Sequence, residues 1–148
     1  MWAVIRLRGN VNVRKEIKDT LEMLHLKRKF SCVLLPENDS YKGMLRKVKD
    51  YVTWGEVNED ILKKLFEKRG RIGRKRLSDN LDLIGVKSVD EVIKRFQNGE
   101  KLKDIGLRPF FGLTPPSKGF KKSIIRHYPK GELGYRGEKI NELLERMI

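Results

Sequence analysis

A single cysteine, Cys32, in 148 residues excludes an internal disulfide framework. Two histidines beside that one thiol are too few donors for a dedicated zinc site, and no metal or other cofactor is expected. No window approaches the roughly 18–20 consecutive apolar residues that a membrane-spanning helix needs. The N-terminus lacks the order of a secretory signal, because Arg6 and Arg8 interrupt the apolar stretch at once. Neither a Walker A motif nor a G-x-G-x-x-G sequence occurs; Gly112 to Gly119 resembles a phosphate loop but lacks its closing lysine and hydroxyl. Negative charge is also missing locally. Between Arg69 and Leu77, and again between Gly106 and Gly131, there is no acidic residue.

What is present is positive charge. Lys and Arg number 34 against 20 Asp and Glu, a formal net charge of +14. Charged residues make up 36% of the chain, against roughly 25% in ordinary soluble domains. These features predict a soluble protein of a reducing compartment whose first partner is a polyanion. A basic membrane-surface helix would carry Lys and Arg along one face of a long amphipathic segment, and no such segment is found. The Glu, Lys and Arg content also fits a thermophile's surface ion pairs, so composition alone does not apportion the charge.

The first 57 residues read β-α-β-α-β. Trp2 to Arg8 is a strand ending at Gly9-Asn10, and Asn12 is the expected cap of a helix carrying Val13, Ile17, Leu21 and Leu24. Phe30 to Leu35 is a second strand stopped by Pro36. Ser40 is the expected cap of a helix with Tyr41, Met44, Leu45 and Val48 inward, and Tyr51 to Trp54 forms a third strand. This is a small α+β unit with helices on one face of a sheet. Residues 58–148 read as an extension of helices and loops. Asn58 caps a helix burying Ile61, Leu62, Leu65 and Phe66, and Ser88 to Glu91 has the pattern of a capping box. A last helix sets Ile140, Leu143, Leu144 and Met147 on one side.

The acid-free stretches are the clearest functional signal. Arg69, Arg71, Arg74, Lys75 and Arg76 surround two glycines, which let backbone approach a partner while arginine forks grip phosphate oxygens. The second stretch holds Arg108, Lys118, Lys121, Lys122, Arg126 and Lys130 on a proline-stiffened loop. Lys27 and Arg28, at the end of the first helix, join this set of nucleic-acid contacts. Phe110, Phe111 and Phe120 can stack on unpaired bases or anchor the loop in the core; Phe110 and Phe111 are expected in the core, and Phe120 stays open between the two. His127 is expected to face RNA or to be hydrogen-bonded; catalysis by His127 with Tyr128 or Arg126 would make the protein an RNA-processing or RNA-modifying enzyme instead. A free regulatory RNA-binding module is the other alternative. Cys32 reads as a small core residue.

Thr20 to Val33, followed by Met44 to Val52 with Asp39-Ser40 before the second helix, resembles the large-subunit ribosomal protein thirty family in spacing and residue type. The extension resembles the archaeal members and their eukaryotic counterpart, large-subunit protein seven, at Tyr51 to Gly55, Arg76 to Asn80 and Thr114 to Phe120. Bacterial members end after the third strand. The long basic N-terminal arm of eukaryotic members is lacking, which points to an archaeon. The resemblance implies a non-enzymatic structural protein of the large ribosomal subunit, cytoplasmic, contacting 23S rRNA in the neighbourhood of 5S RNA, with other ribosomal proteins as further neighbours and no small-molecule substrate. It also implies a three-stranded antiparallel sheet with two helices, similar to half of a ferredoxin-like fold.

Overall fold

The structure is a computed structural model that describes residues 1–148. Three strands, β1 (Trp2–Arg6), β2 (Ser31–Leu35) and β3 (Val52–Glu56), form the middle of the sheet, with β1 antiparallel to both neighbours. Alternation along these strands sorts the core into two. Val4, Val33, Leu35, Val52 and Trp54 point to one face, where Leu21, Leu24, Leu45 and Val48, on or just after two helices, cover them. Helix α1 spans Lys15–Met23 and α2 spans Asp39–Lys47. Ala3, Ile5, Leu7, Cys32 and Leu34 point the other way, into a larger cluster.

That second face corrects the expectation of helices on one side only. It is covered by α3 (Glu59–Arg69), α4 (Val89–Gln97), α5 (Leu102–Ile105) and α6 (Ile140–Met147). The sheet is therefore the middle of three layers, which is why its central strands are buried on both faces. Phe66 of α3 lies at the centre, edge-on to Phe111 at 5.2 Å and tilted against Phe96. No helix is long and apolar enough to cross a membrane.

The sheet has six strands, not three: β6 (Phe111–Gly112), β7 (Ser123–His127) and β8 (Gly131–Tyr135) join it in the order β6-β2-β1-β3-β8-β7. Residues beyond 57 add a strand at one edge and two at the other. β6 pairs antiparallel with the start of β2, Gly112 opposite Ser31. β8 runs parallel to β3, and β7 lies outside it through an irregular pairing. Both stretches expected to be loops thus contain strands. Arg71–Ile72 (β4) and Lys75–Arg76 (β5) form a separate hairpin, turned by Gly73 at a φ of +62°, the left-handed geometry that two-residue turns demand. Gly55 in β3 has a different reason: a Cβ there would run into the carbonyl of Gly137, so only glycine lets the Gly137–Lys139 turn cross this closely.

Two caps differ from expectation. Asn38, not Ser40, caps α2, its Oδ1 accepting from Tyr41 N at 2.9 Å. Asn12 does not cap α1; it takes a positive φ of 56° and the helix begins only at Lys15, with no side-chain cap. Asn58 caps α3 as expected, accepting from Ile61 N at 2.9 Å. The box at α4 is half formed: Ser88 makes no side-chain cap, and Glu91 accepts from Lys87 N at 3.0 Å.

Cys32 is fully buried, and burial pushes its thiol pKa up to about 12 from 9.0. Between those values the folded thiol keeps its proton while the unfolded one releases it, so stability falls as pH rises. The slope from this group is about 1 kcal/mol per pH unit. Chemical denaturation of the wild type and Cys32→Ala at pH 9.5 and 10.5 is expected to show the variant losing that much less between the two conditions.

Candidate nucleic-acid interface

Backbone hydrogen bonds lash three segments, distant in sequence, into one wall at the β6 edge. Phe30 N donates to Arg6 O at 2.7 Å, Leu113 N to Phe30 O at 3.0 Å, and Arg108 N to Arg71 O at 3.0 Å. Arg6 braces this arrangement from inside. Its guanidinium is 1% exposed and donates to Leu26 O at 2.7 Å, Arg8 O at 2.8 Å and Asn10 Oδ1 at 2.5 Å. Burial lowers its pKa, with Tyr51 opposing the shift. A cation without a carboxylate is tolerated there because three oxygens take its protons. The result fixes the turn that presents Lys27 and Arg28.

The three segments enclose a groove of about 450 Å³. Arg28, Lys29 and Phe30 supply one side, Arg71 and Arg74 of the hairpin another, and Arg108, Phe110 and Gly112 the third. Its lining holds five cations and no carboxylate. None of those five joins an ion pair, while the molecule's salt bridges lie elsewhere. Like charges crowded without counter-charge repel one another, and an incoming polyanion removes that cost. The opposite end of the sheet is acidic. There a cavity of about 540 Å³ is lined by Glu56, Glu138 and Glu142 with Lys139. Tyr135 beside it donates to Glu56, and this bond holds its pKa up at about 12. The larger cavity would repel phosphate.

Of the residues singled out in the sequence, the fold brings Arg28, Arg71, Arg74 and Arg108 together in the groove. Lys29, not among the residues singled out, joins them; its place in the basic triplet Lys27-Arg28-Lys29 is the only sequence signal for it. Lys27, Lys75 and Arg76 are exposed and outside the lining. Arg69 is half-buried; its Nη2 donates to Thr114 Oγ1 at 3.4 Å, while its Nε is buried without a partner. Phe120 is half-buried, stacks on Phe30 at 6.2 Å between ring centres and packs against the larger core. Phe111 is in the core, as expected. Phe110 is not wholly so: it packs on the smaller cluster but also lines the groove, with the Arg108 guanidinium 5.9 Å from its ring centre.

The second acid-free stretch divides. Its beginning forms the groove; its end reaches the far edge of the sheet, so Arg126, His127 and Lys130 lie on and beside β7. His127 Nε2 sits 2.9 Å from Asp50 Oδ1. Lys118 and Lys121 are exposed on the segment between, which Arg146 clamps through the carbonyls of Ser117 (2.9 Å) and Gly119. Lys122 N donates to Glu132 Oε1 at 3.0 Å, and its ammonium lies 5.0 Å from the Tyr128 ring centre.

A basic three-layer α+β protein with a carboxylate-free arginine groove belongs, as a class, among proteins suited to polyanions. Comparison with known proteins sharpens the class. The family model described as ribosomal protein L30p/L7e matches residues 2–52. The chain is 48% identical to the large ribosomal subunit protein uL30 of Methanosphaera stadtmanae, over 100% of both chains. It is 47% identical to that of Nanoarchaeum equitans, over 100% of this chain and 99% of the relative, and 46% identical to that of Archaeoglobus fulgidus, over 99% of each. The chain belongs to the ribosomal protein L30p/L7e family.

Proposed function

We propose that this protein is a structural constituent of the large ribosomal subunit and that the groove is its main grip on 23S rRNA. The observation that carries the reading is the gathering of Arg28, Lys29, Arg71, Arg74 and Arg108 with no carboxylate among them. Residues 1–57 act as the platform and residues 58–148 as the extension that completes the groove and carries Lys118 to Lys130 as a second contact. Recognition is by phosphate backbone and shape, because an A-form helix hides its base edges in a narrow major groove. The family assignment favours this structural role over an RNA-modifying enzyme using His127, whose imidazole is engaged with Asp50.

Binding of the purified chain to large-subunit rRNA, titrated with salt, tests the reading. Five groove contacts predict that log affinity falls against log salt with a slope of about −4. A slope shallower than −1, or absence of the protein from the large-subunit peak when cell extract is sedimented, overturns it.

A further inference from the structure

We propose that the groove seats one unpaired rRNA nucleotide, its base against Phe110 and its flanking phosphates on Arg28, Arg71, Arg74 and Arg108. This rests on the rRNA-binding reading above and adds what the site holds. Phosphate contact alone needs only protruding cations, such as the exposed Lys75 and Arg76, and no cavity. Here the arginines stand around a hollow of about 450 Å³, within the roughly 300–1,000 Å³ typical of small-ligand clefts. A duplex cannot enter it; a single extruded nucleotide can.

The hollow has an aromatic side. Phe110 is half-buried, held from behind by the smaller core cluster, with its exposed part in the lining and the Arg108 guanidinium 5.9 Å from its ring centre. That places a stacking surface and a phosphate fork side by side, the pairing that proteins use for single-stranded nucleic acid. The hollow is also kept open by a missing side chain. A Cβ built on Gly112 meets no atom within 4 Å, although Gly112 is paired to Ser31 within the sheet. The lining contains no amide or carboxyl side chain, and the Ser31 hydroxyl already donates to Arg28 O at 2.5 Å. The seat therefore lacks the amide and carboxyl side chains that read adenine and cytosine edges, and with its arginines on phosphates it discriminates unpaired from paired more than one base from another.

The test uses the full chain with transcribed large-subunit rRNA, mapped by base-specific methylation and by backbone cleavage. Gly112→Leu fills the hollow without touching charge; Phe110→Leu removes the stacking face while keeping an apolar anchor. Wild-type protein is expected to protect the base of an unpaired nucleotide as well as neighbouring phosphates. Each variant is expected to lose the base protection and about tenfold in affinity, with phosphate protection and salt slope retained. Thermal melting of each free variant confirms that it is folded, and either variant suffices if the other is not. A wild-type footprint of phosphates only, or base protection unchanged in the folded variants, overturns the nucleotide seat and leaves the rRNA reading standing. No wild-type footprint at all overturns both.

Discussion

Replacing Arg28, Arg71, Arg74 and Arg108 together by glutamine is expected to lower affinity for large-subunit rRNA about a thousandfold at 0.15 M salt. Each phosphate neutralised contributes roughly 0.9 to the salt exponent, so four lost contacts amount to about three decades at that concentration, and the gap closes as salt approaches 1 M. The expected effect on stability has the opposite sign from an ordinary surface-charge deletion. These side chains make no ion pair, and Arg71 and Arg74 are linked only by a weak bond of 3.4 Å from guanidinium to carbonyl. Removing four crowded positive charges is therefore expected to leave the melting temperature unchanged or slightly raised. Removing the same number outside the groove, at the exposed Lys18, Lys42, Lys47 and Lys49, is expected to cost less than tenfold. If both sets weaken binding equally, net charge rather than the groove drives association.

The choice of those four arginines shows what folding adds to the sequence. Runs of basic residues without acids marked Arg71, Arg74 and Arg108 directly, since charge is a local property. Which cations share a site is not local. Lys75 and Arg76 are as basic as Arg74, yet they lie on the second strand of a hairpin whose turn places only Arg71 and Arg74 in the groove. Arg28 arrives from the turn before β2, through the ladder that pairs Ser31 with Gly112, 81 residues further along the chain. Pairing across that distance has no signature in either segment.

The secondary structure divides in a similar way. β1, β2 and β3 are legible because Val, Ile, Leu and Trp cluster in short runs with clear stops. β8 is not legible, because Gly131-Glu132-Leu133-Gly134-Tyr135 holds residues that strands usually avoid. The two glycines have different reasons: a Cβ on Gly131 would collide with Arg126 backbone, while Gly134 takes a positive φ of +84° and faces the His127 ring. β7 carries Ile125 at 72% exposed, so its apolar residues gave no inward period to read. The start of the first helix is not legible either, because Asn12 is a good capping residue in type but sits in a left-handed turn.

Glu132, the one acid in that unexpected strand, is where the largest loss of stability is expected. It is 5% exposed and pairs with Arg136, itself 8% exposed, at 2.8 Å. Arg136 also donates to Thr53 Oγ1 at 2.8 Å, and Thr53 donates to Gly134 O at 2.8 Å, so the pair ties β8 to β3. Glu132→Gln removes the charge while keeping an oxygen for Lys122 N, and leaves a buried guanidinium uncompensated. Breaking one side of such a pair costs about 3–5 kcal/mol, or roughly 6–20 °C of melting temperature in a chain of this size. Replacing both partners, Glu132→Leu with Arg136→Met, is expected to recover most of that loss, since apolar isosteres pay no desolvation. Glu132 has a second duty that the double variant does not restore: its Oε1 accepts from Lys122 N, fixing the end of the segment that presents Lys118 and Lys121. Trypsin is therefore expected to cleave near Lys121 and Lys122 faster in the double variant than in wild type, even where the melts coincide. Equal cleavage with recovered melting would mean that Arg146, through Ser117 and Gly119, holds the segment without help from Glu132.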